Sequence, residues 1–455
     1  MSTKSAPRAA ENFGFLVAVL IAVVLNPLNS STIAVALRVL LHRFGNHANS
    51  LTWIISGYYL GSAIAQPVLG RLGDLWGHRR LIFLGLALIM VTAVGAPLSP
   101  NLEIFVGWRV GQAAATSMIY PNAVALVRAE LPDQVGRVLG WIGMAAGGAV
   151  AVGPPIGGLL MSVASWQAIF WLNIPLAAVA GWLFYRHAPH NPPDARKNVG
   201  PRAVLTRQLD LPGLMLFAGT VVAFLLWSTH FDKSQGSLML VVGLAGTGVL
   251  IFVESRMPAP LIPLTWFKDR TFALSSLLTI LSNVVMYSIL YGLPVYVQSV
   301  RHLSPSDSGL LLLAFAGVTA VASPWGGRLA QRRVGPQPLI TAGIFLVAGT
   351  GILIGIKTLA WPWIVLGLIC LGFSFALSNV LLQKVLLESV PPQETGRVSG
   401  LFMLLRYLGT MISSALVAAG IENPTRTALF EILLGMACIT AVLPLGLIGT
   451  DSFQG

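Results

Sequence analysis

Fourteen stretches of roughly 20 mostly apolar residues follow one another along this chain, with short polar connections between them. They cover about 13–37, 51–69, 80–98, 102–127, 136–161, 167–185, 210–229, 236–254, 272–297, 306–325, 337–356, 361–385, 396–420 and 427–448. Coiled as a helix, a run of that length matches the hydrocarbon thickness of a bilayer. In lipid every backbone N–H and C=O must be bonded within its own segment, so irregular coil and open strands are excluded. The residues left over form short connections and leave no room for a soluble domain. Hydrophobic residues at 55%, charged residues at 10% and a mean hydropathy of +0.78 agree. The expected fold class is all-α integral membrane with fourteen transmembrane helices. The polar start Met1–Asn12 feeds a span of full length, so no cleavable signal peptide is expected.

The formal net charge of +12 could suggest a nucleic-acid partner, but its placement argues for topology instead. With the N-terminus inside, twenty of the 28 Lys and Arg fall in cytoplasmic segments, six outside and two, Arg109 and Arg406, within spans. The positive-inside rule then puts both termini in the cytoplasm of a cell-membrane protein. Cys370 and Cys438 lie in different spans and read as core residues without a disulfide or metal motif.

Between the second and third spans stands Gly70-Arg71-Leu72-Gly73-Asp74-Leu75-Trp76-Gly77-His78-Arg79-Arg80. Its charges cost about 2.5–3.5 kcal/mol each near the bilayer midplane, so the stretch is expected to be a short loop at the cytoplasmic face. Gly326-Gly327-Arg328-Leu329-Ala330-Gln331-Arg332-Arg333 is a worn copy of it. Pro132 to Gly140 and Pro392 to Gly400 also match, sharing Pro, Gly-Arg-Val and Gly at nearly the same offset. Two matches at one offset argue for duplication, with spans 1–6 and 9–14 as parallel halves and spans 7 and 8 inserted between them.

The pattern Gly-x-Leu-x-Asp-x-x-Gly-x-Arg-Arg resembles the signature loop of the major facilitator superfamily of transporters. Fourteen spans with an inserted pair resemble its fourteen-helix branch of drug:proton antiporters. Trp166-Gln167-Ala168-Ile169-Phe170-Trp171-Leu172-Asn173-Ile174-Pro175 and Glu254 to Leu264 look like further local features of that branch. The resemblance implies a major facilitator fold of two six-helix halves plus a two-helix insert. Its segments are a cytoplasmic N-terminus 1–12, an N-terminal half 13–186 and a cytoplasmic linker 187–209. Inserted helices with their following loop occupy 210–271, the C-terminal half 272–448 and a cytoplasmic C-terminus 449–455.

The resemblance also distributes roles. Gly70, Arg71, Asp74, Gly77, Arg79 and Arg80 would form a gating loop, with Asp74 facing the N-terminus of span 13 near Gly396 when the inner mouth is closed. Gly153, Pro154, Gly157 and Gly158 resemble the exporters' antiporter motif, although Ala149 replaces its first glycine. They would bend span 5 and let a helix of the second half approach. Arg109 and Gln112 resemble the family's Arg-x-x-Gln-Gly pattern, in which the arginine takes part in proton coupling; Ala113 stands where that pattern has glycine. Related transporters usually place a proton-carrying aspartate near Asn29, and no carboxylate of this chain falls at the midplane.

Polar and aromatic residues inside spans supply the candidate substrate cavity: Asn29, Tyr58, Tyr120, Asn283, Tyr287, Tyr291, Asn379 and Arg406. Asn283, Tyr287 and Tyr291 share one helix face, and an aromatic face with scattered polar groups suits a lipophilic or amphipathic ligand.

Other function classes find no support. All seven His lie in connections or span ends, leaving no intramembrane enzyme site, and no phosphate-binding Gly-x-x-x-x-Gly-Lys-Ser/Thr loop is present. The expected activity is secondary export of small molecules by alternating access, driven by protons. The alternative is export of a specific lipid or metabolite without the proton-carrying acid. No cofactor or metal is expected. The partners are a small-molecule substrate, protons and membrane lipids, and the protein is expected to act as a monomer.

Overall fold

The structure, a computed structural model, describes residues 5–45, 48–131, 135–187, 211–229, 234–257, 260, 264–331, 336–356, 358, 360–390, 395–422 and 428–447. The described residues are helical apart from short turns. Their helices are α1 (Ser5–Phe44), α2 (Ala48–Trp76), α3 (His78–Gly95), α4 (Leu102–Ser117), α5 (Tyr120–Glu130) and α6 (Val135–Val163). Next come α7 (Ala168–Trp171), α8 (Asn173–His187), α9 (Leu211–Thr229) and α10 (Ser234–Glu254). The last group is α11 (Arg270–Val300), α12 (Pro305–Gln331), α13 (Gln337–Ile354), α14 (Trp361–Glu388), α15 (Thr395–Glu422) and α16 (Ala428–Val442). Among the described residues, eleven helices are long and apolar enough to cross a membrane, and Pro212–Trp227 is a shorter apolar one. Residues 188–209 and 449–455, expected as linker and tail, lie outside the described residues.

Three sequence expectations change. The glycine-rich stretch 70–80 is not a loop: α2 continues through it to Trp76 and α3 begins at His78, leaving Gly77 as the whole connection. Its φ of 97° is a conformation that only glycine adopts without strain, and the Gly77 amide closes back on the Gly73 carbonyl at 2.9 Å. The fourth apolar run divides into α4 and α5, because Pro121 has no N–H to donate to the Ser117 carbonyl. Cys438 also turns outward and is not a core residue.

Helices α1–α8 pack on one another, as do α11–α16, and the two groups meet where α2 lies on α15, α6 on α12 and α1 on α11. One buried apolar cluster runs through both groups; a second lies within α1–α8. Lipid is as apolar as leucine, so such contacts are held by close packing and hydrogen bonds more than by water exclusion. The outer faces agree: Val91, Leu159 and Val321 are exposed large apolar residues. α10 lies at the periphery, packs against α9 and presents Leu238, Val241, Leu244 and Phe252 outward.

Candidate functional site

Hydrogen bonds between the two groups give the bundle a sealed end. At the end where α1 passes into α2, the Arg38 guanidinium donates to the Gln298 carbonyl, and the Gln298 amide donates to Val35 O at 3.3 Å. Ser306 Oγ donates to Gly158 O at 3.0 Å, and the Ser56 and Ser414 hydroxyls are paired. Further along α2, Tyr59 and Tyr291 join hydroxyls at 2.8 Å. Tyr291 passes its own proton toward Ser30 O at 3.5 Å, so Tyr59 is the donor of that pair. Gln66 Nε2 donates to Tyr407 Oη at 2.9 Å. Ser56, Tyr59 and Gln66 ascend α2 toward Gly77, so Gln66–Tyr407 is the bond of this series nearest the Gly77 end.

Tyr59 is the hub of an aromatic layer at this level. Its ring lies 5.5 Å from that of Tyr407 and 5.8 Å from that of Tyr287, and Tyr287 stacks on Tyr291 at 5.6 Å. Tyr58, one residue earlier, points elsewhere because successive helix positions are roughly 100° apart. It faces α4, where its hydroxyl meets Thr116 Oγ1 at 3.0 Å. The Thr116 hydroxyl donates to Ala113 O at 3.0 Å and receives Asn26 Nδ2 at 3.4 Å.

Arg109 lies against the same ring, its guanidinium carbon 4.4 Å from the Tyr58 centroid, and is 1% exposed. That exposure excludes snorkelling to the surface. One terminal nitrogen donates to Gln112 Oε1 at 2.7 Å and to Asn29 Oδ1 at 3.3 Å. Both acceptors are neutral. Arg109 Nε and Gln112 Nε2 have no hydrogen-bond partner among the described residues. Asn29, Tyr58, Arg109 and Gln112 therefore form one enclosed cationic cluster, with Asn29 and Tyr58 buried inside it rather than lining open space.

Arg406 sits beside Tyr407 on α15 and is half-buried. Its Nε donates to Asn283 Oδ1 at 3.4 Å, and a terminal nitrogen points at Met403 Sδ, 3.8 Å away. Asn283 Nδ2 is spent on Thr279 O at 2.8 Å, which turns the amide oxygen toward the arginine. Asn283, Tyr287, Tyr291 and Arg406 are thus brought together, with Asn283 two turns nearer the Gly77 end than Tyr291. Asn379 is half-buried on α14, its Oδ1 without a hydrogen-bond partner among the described residues. Tyr120, half-buried, begins α5.

The glycines of α6 divide between two faces. A Cβ on Gly153 would strike the Ser31 side chain, and one on Gly157 would lie 2.8 Å from Thr32 O, both on α1. Gly158 faces the other group: its Cβ would lie 2.8 Å from Pro305 O and Ser306 Cα of α12. A Cβ on Gly309 of α12 would in turn lie 2.5 Å from Pro154 O.

At the opposite end, buried Arg79 donates to Tyr185 O at 3.1 Å, and Arg80 is exposed. Asn122 donates to Met118 O at 2.7 Å and to Leu69 O at 3.3 Å, while its oxygen pairs with His78 Nδ1 at 2.8 Å. Gly70, Arg71 and Asp74 fall within α2, but their side chains, and any contact of Asp74 with residues 395–397, lie outside the described residues. Sequence reasoning missed Tyr59, Tyr407 and Asn122. Each stands next to a residue or motif it had marked, but only the packing shows which of two neighbours crosses the bundle.

The sequence profile of the Major Facilitator Superfamily matches residues 19–414. The chain belongs to that superfamily. It is a multi-pass membrane transporter and not an enzyme. An uncharacterized MFS-type transporter of Bacillus subtilis, YwoD, is 35% identical over 94% of this chain and 94% of its own length. The tetracenomycin C resistance and export protein of Streptomyces glaucescens is 28% identical over 88% of this chain and 74% of its own. Among solved structures, the inward open conformation of the xylose transporter XylE from E. coli superposes with a TM-score of 0.66 at 14% identity, covering 97% of this chain and 98% of that one. At that identity the likeness concerns the fold alone.

Proposed function

We propose that this superfamily member exports lipophilic or amphipathic small molecules across the cell membrane by alternating access. The observation that carries the reading is the Tyr59–Tyr291–Ser30 chain with its aromatic layer. It closes one side of a site whose groups, Tyr287, Asn283 and Arg406, continue toward the Gly77 end. Mixed aromatic and polar lining fits ligands that are partly apolar. The tetracenomycin C exporter among its relatives supports export as the direction.

In this reading fourteen spans form two six-helix halves with α9 and α10 inserted, and both termini are cytoplasmic. The sealed end is extracytoplasmic, so the conformation is inward-facing. The stretch from Gly70 to Arg80 gates the inner mouth, α6 carries the sliding contact between halves, and Arg109 with Gln112 takes part in coupling. The protein works as a monomer among membrane lipids.

A second reading concerns the driving force. The Arg109 cluster holds only neutral acceptors, Asn29 and Gln112, which favours export without the proton-carrying acid. Substrate uptake into proteoliposomes, with and without an imposed pH gradient, separates the two. Stimulation by the gradient supports antiport, and flux unchanged by it supports the uncoupled exporter. Absence of substrate flux in both would refute export itself.

A further inference from the structure

We propose that the transported substrate is an organic anion, with Arg406, held in place by Asn283, as the group that recognises its negative charge. This rests on the export reading above and adds the substrate's charge and the residues that select it.

The argument begins with charge balance. Arg406 is eleven residues into α15, level with Tyr407 of the cross-bundle series, where an ionised group in a membrane protein is costly unless it is paired or faces a polar cavity. Among the described residues its hydrogen bonds are one long bond to a neutral amide oxygen and one weak contact with a thioether. Guanidinium has five donors and stays protonated, so most of its capacity is unused. No ion pair to either Arg406 or Arg109 occurs among the described residues, where Lys384–Glu388 is a pair at a helix end. Every Asp and Glu among the described residues falls at or near a helix end, in a short connection or near the start of α1. Among the described residues the middle of the bundle thus carries two fixed positive charges, Arg109 and Arg406, and no fixed negative one; the buried Arg79 and Glu254 lie at helix ends.

Placement decides which of the two meets substrate. Arg109 is enclosed, already bonded twice through one nitrogen, and covered by Tyr58. Arg406 is half-buried on the side of the seal toward the Gly77 end. Asn283 is fixed by its own bond to Thr279 O and holds the Arg406 Nε, which leaves the terminal nitrogens to a ligand. The edge between the two terminal nitrogens of Arg406, held only by the weak contact with Met403 Sδ, fits a carboxylate, sulfonate or phosphate in two parallel bonds. Tyr287, one turn from Asn283 and buried against Tyr59 and Tyr291, is the adjoining aromatic ring.

Two xanthene dyes of similar shape and opposite charge provide the test: carboxyfluorescein, an anion at pH 8, and rhodamine 123, a cation. Transport of each is followed in proteoliposomes of the full-length protein. The wild-type protein is expected to move carboxyfluorescein in preference to rhodamine 123. R406Q should lower carboxyfluorescein flux about tenfold and leave rhodamine 123 flux unchanged or raised, which also certifies a folded variant. R406K should retain part of the anion flux. Preference of the wild-type protein for rhodamine 123, or carboxyfluorescein flux unaffected in R406Q, overturns the assignment without touching export. Flux of neither dye in the wild type overturns export of amphipathic compounds and the assignment with it.

Discussion

Tyr59 on α2 and Tyr291 on α11 lie 232 residues apart in the chain, and their hydroxyls meet at 2.8 Å across the bundle. Tyr291 relays the chain to the Ser30 carbonyl of α1, so three helices share two protons. Y59F keeps the ring packing and removes the donor. A net contribution of about 1 kcal/mol is expected for such a bond, which shifts the balance toward the state opened at this end roughly fivefold. Distance distributions between spin labels placed on α1 and α12 at the sealed end would show it; an unchanged distribution would mean that the pair does not hold the seal.

The two faces of α6 predict different failures for neighbouring glycines. G157L drives its side chain into Thr32 O and Val35 of α1, within one group, and should abolish transport while the protein still reaches the membrane. G158L wedges α6 away from Pro305 and Ser306 of α12, so it should favour conformations in which the groups part at the sealed end. Normal export by G157L would show that this contact has no role in the cycle.

Replacing Arg109 strands its acceptors. R109A leaves Asn29 Oδ1 and Gln112 Oε1 buried without this donor, at about 1–3 kcal/mol for each group left unpaired. Thermal unfolding in detergent should fall accordingly. R109K restores the charge but lacks the planar guanidinium that lies over the Tyr58 ring, so its recovery should be partial.

Asn29 allows a gain-of-function test. N29D sets a carboxylate on the atom that now accepts from Arg109 at 3.3 Å. A charge-assisted bond there is roughly twice as strong as a neutral one. It also puts a titratable acid in the membrane interior, so the pH profile of N29D transport should differ from that of the wild-type protein. Identical pH profiles for the two proteins would show that this position does not participate in coupling.

Gly77 is the whole connection between α2 and α3, at φ 97° and ψ 126°. G77A forces an L side chain into that region at a cost of about 1–3 kcal/mol. The expected readout is a lower melting temperature together with faster proteolysis near residue 77. An unchanged melting temperature would mean that the junction relaxes at no cost.

The helical class and the interior arginines could be read directly from residues, because apolar length and misplaced charge are local properties. Arg109 was marked in that way, and the packing then supplied Asn29 and Gln112 as its acceptors. The stretch 70–80 misled for a physical reason. Glycine and charge mark a helix that is leaving the membrane, but they do not end it; only the backbone of Gly77 does. Tyr58 and Tyr59 illustrate the other limit. The two adjacent tyrosines have the same composition signal, and their roles separate only once α4 stands on one side of α2 and α11 and α15 on the other.

Gly157 and Gly158 are peptide neighbours with unrelated correspondents. Second-site suppressors of a modest enlargement at Gly157 should therefore be recovered in α1, around Thr32 and Val35, by genetic selection. Those of an enlargement at Gly158 should arise around Pro305 and Ser306, the latter 148 codons downstream. Evolution faces the same division: a lineage that changes α6 must compensate in two separate places, and an exchange of either half between relatives would inherit a matched contact on one face and a mismatched one on the other.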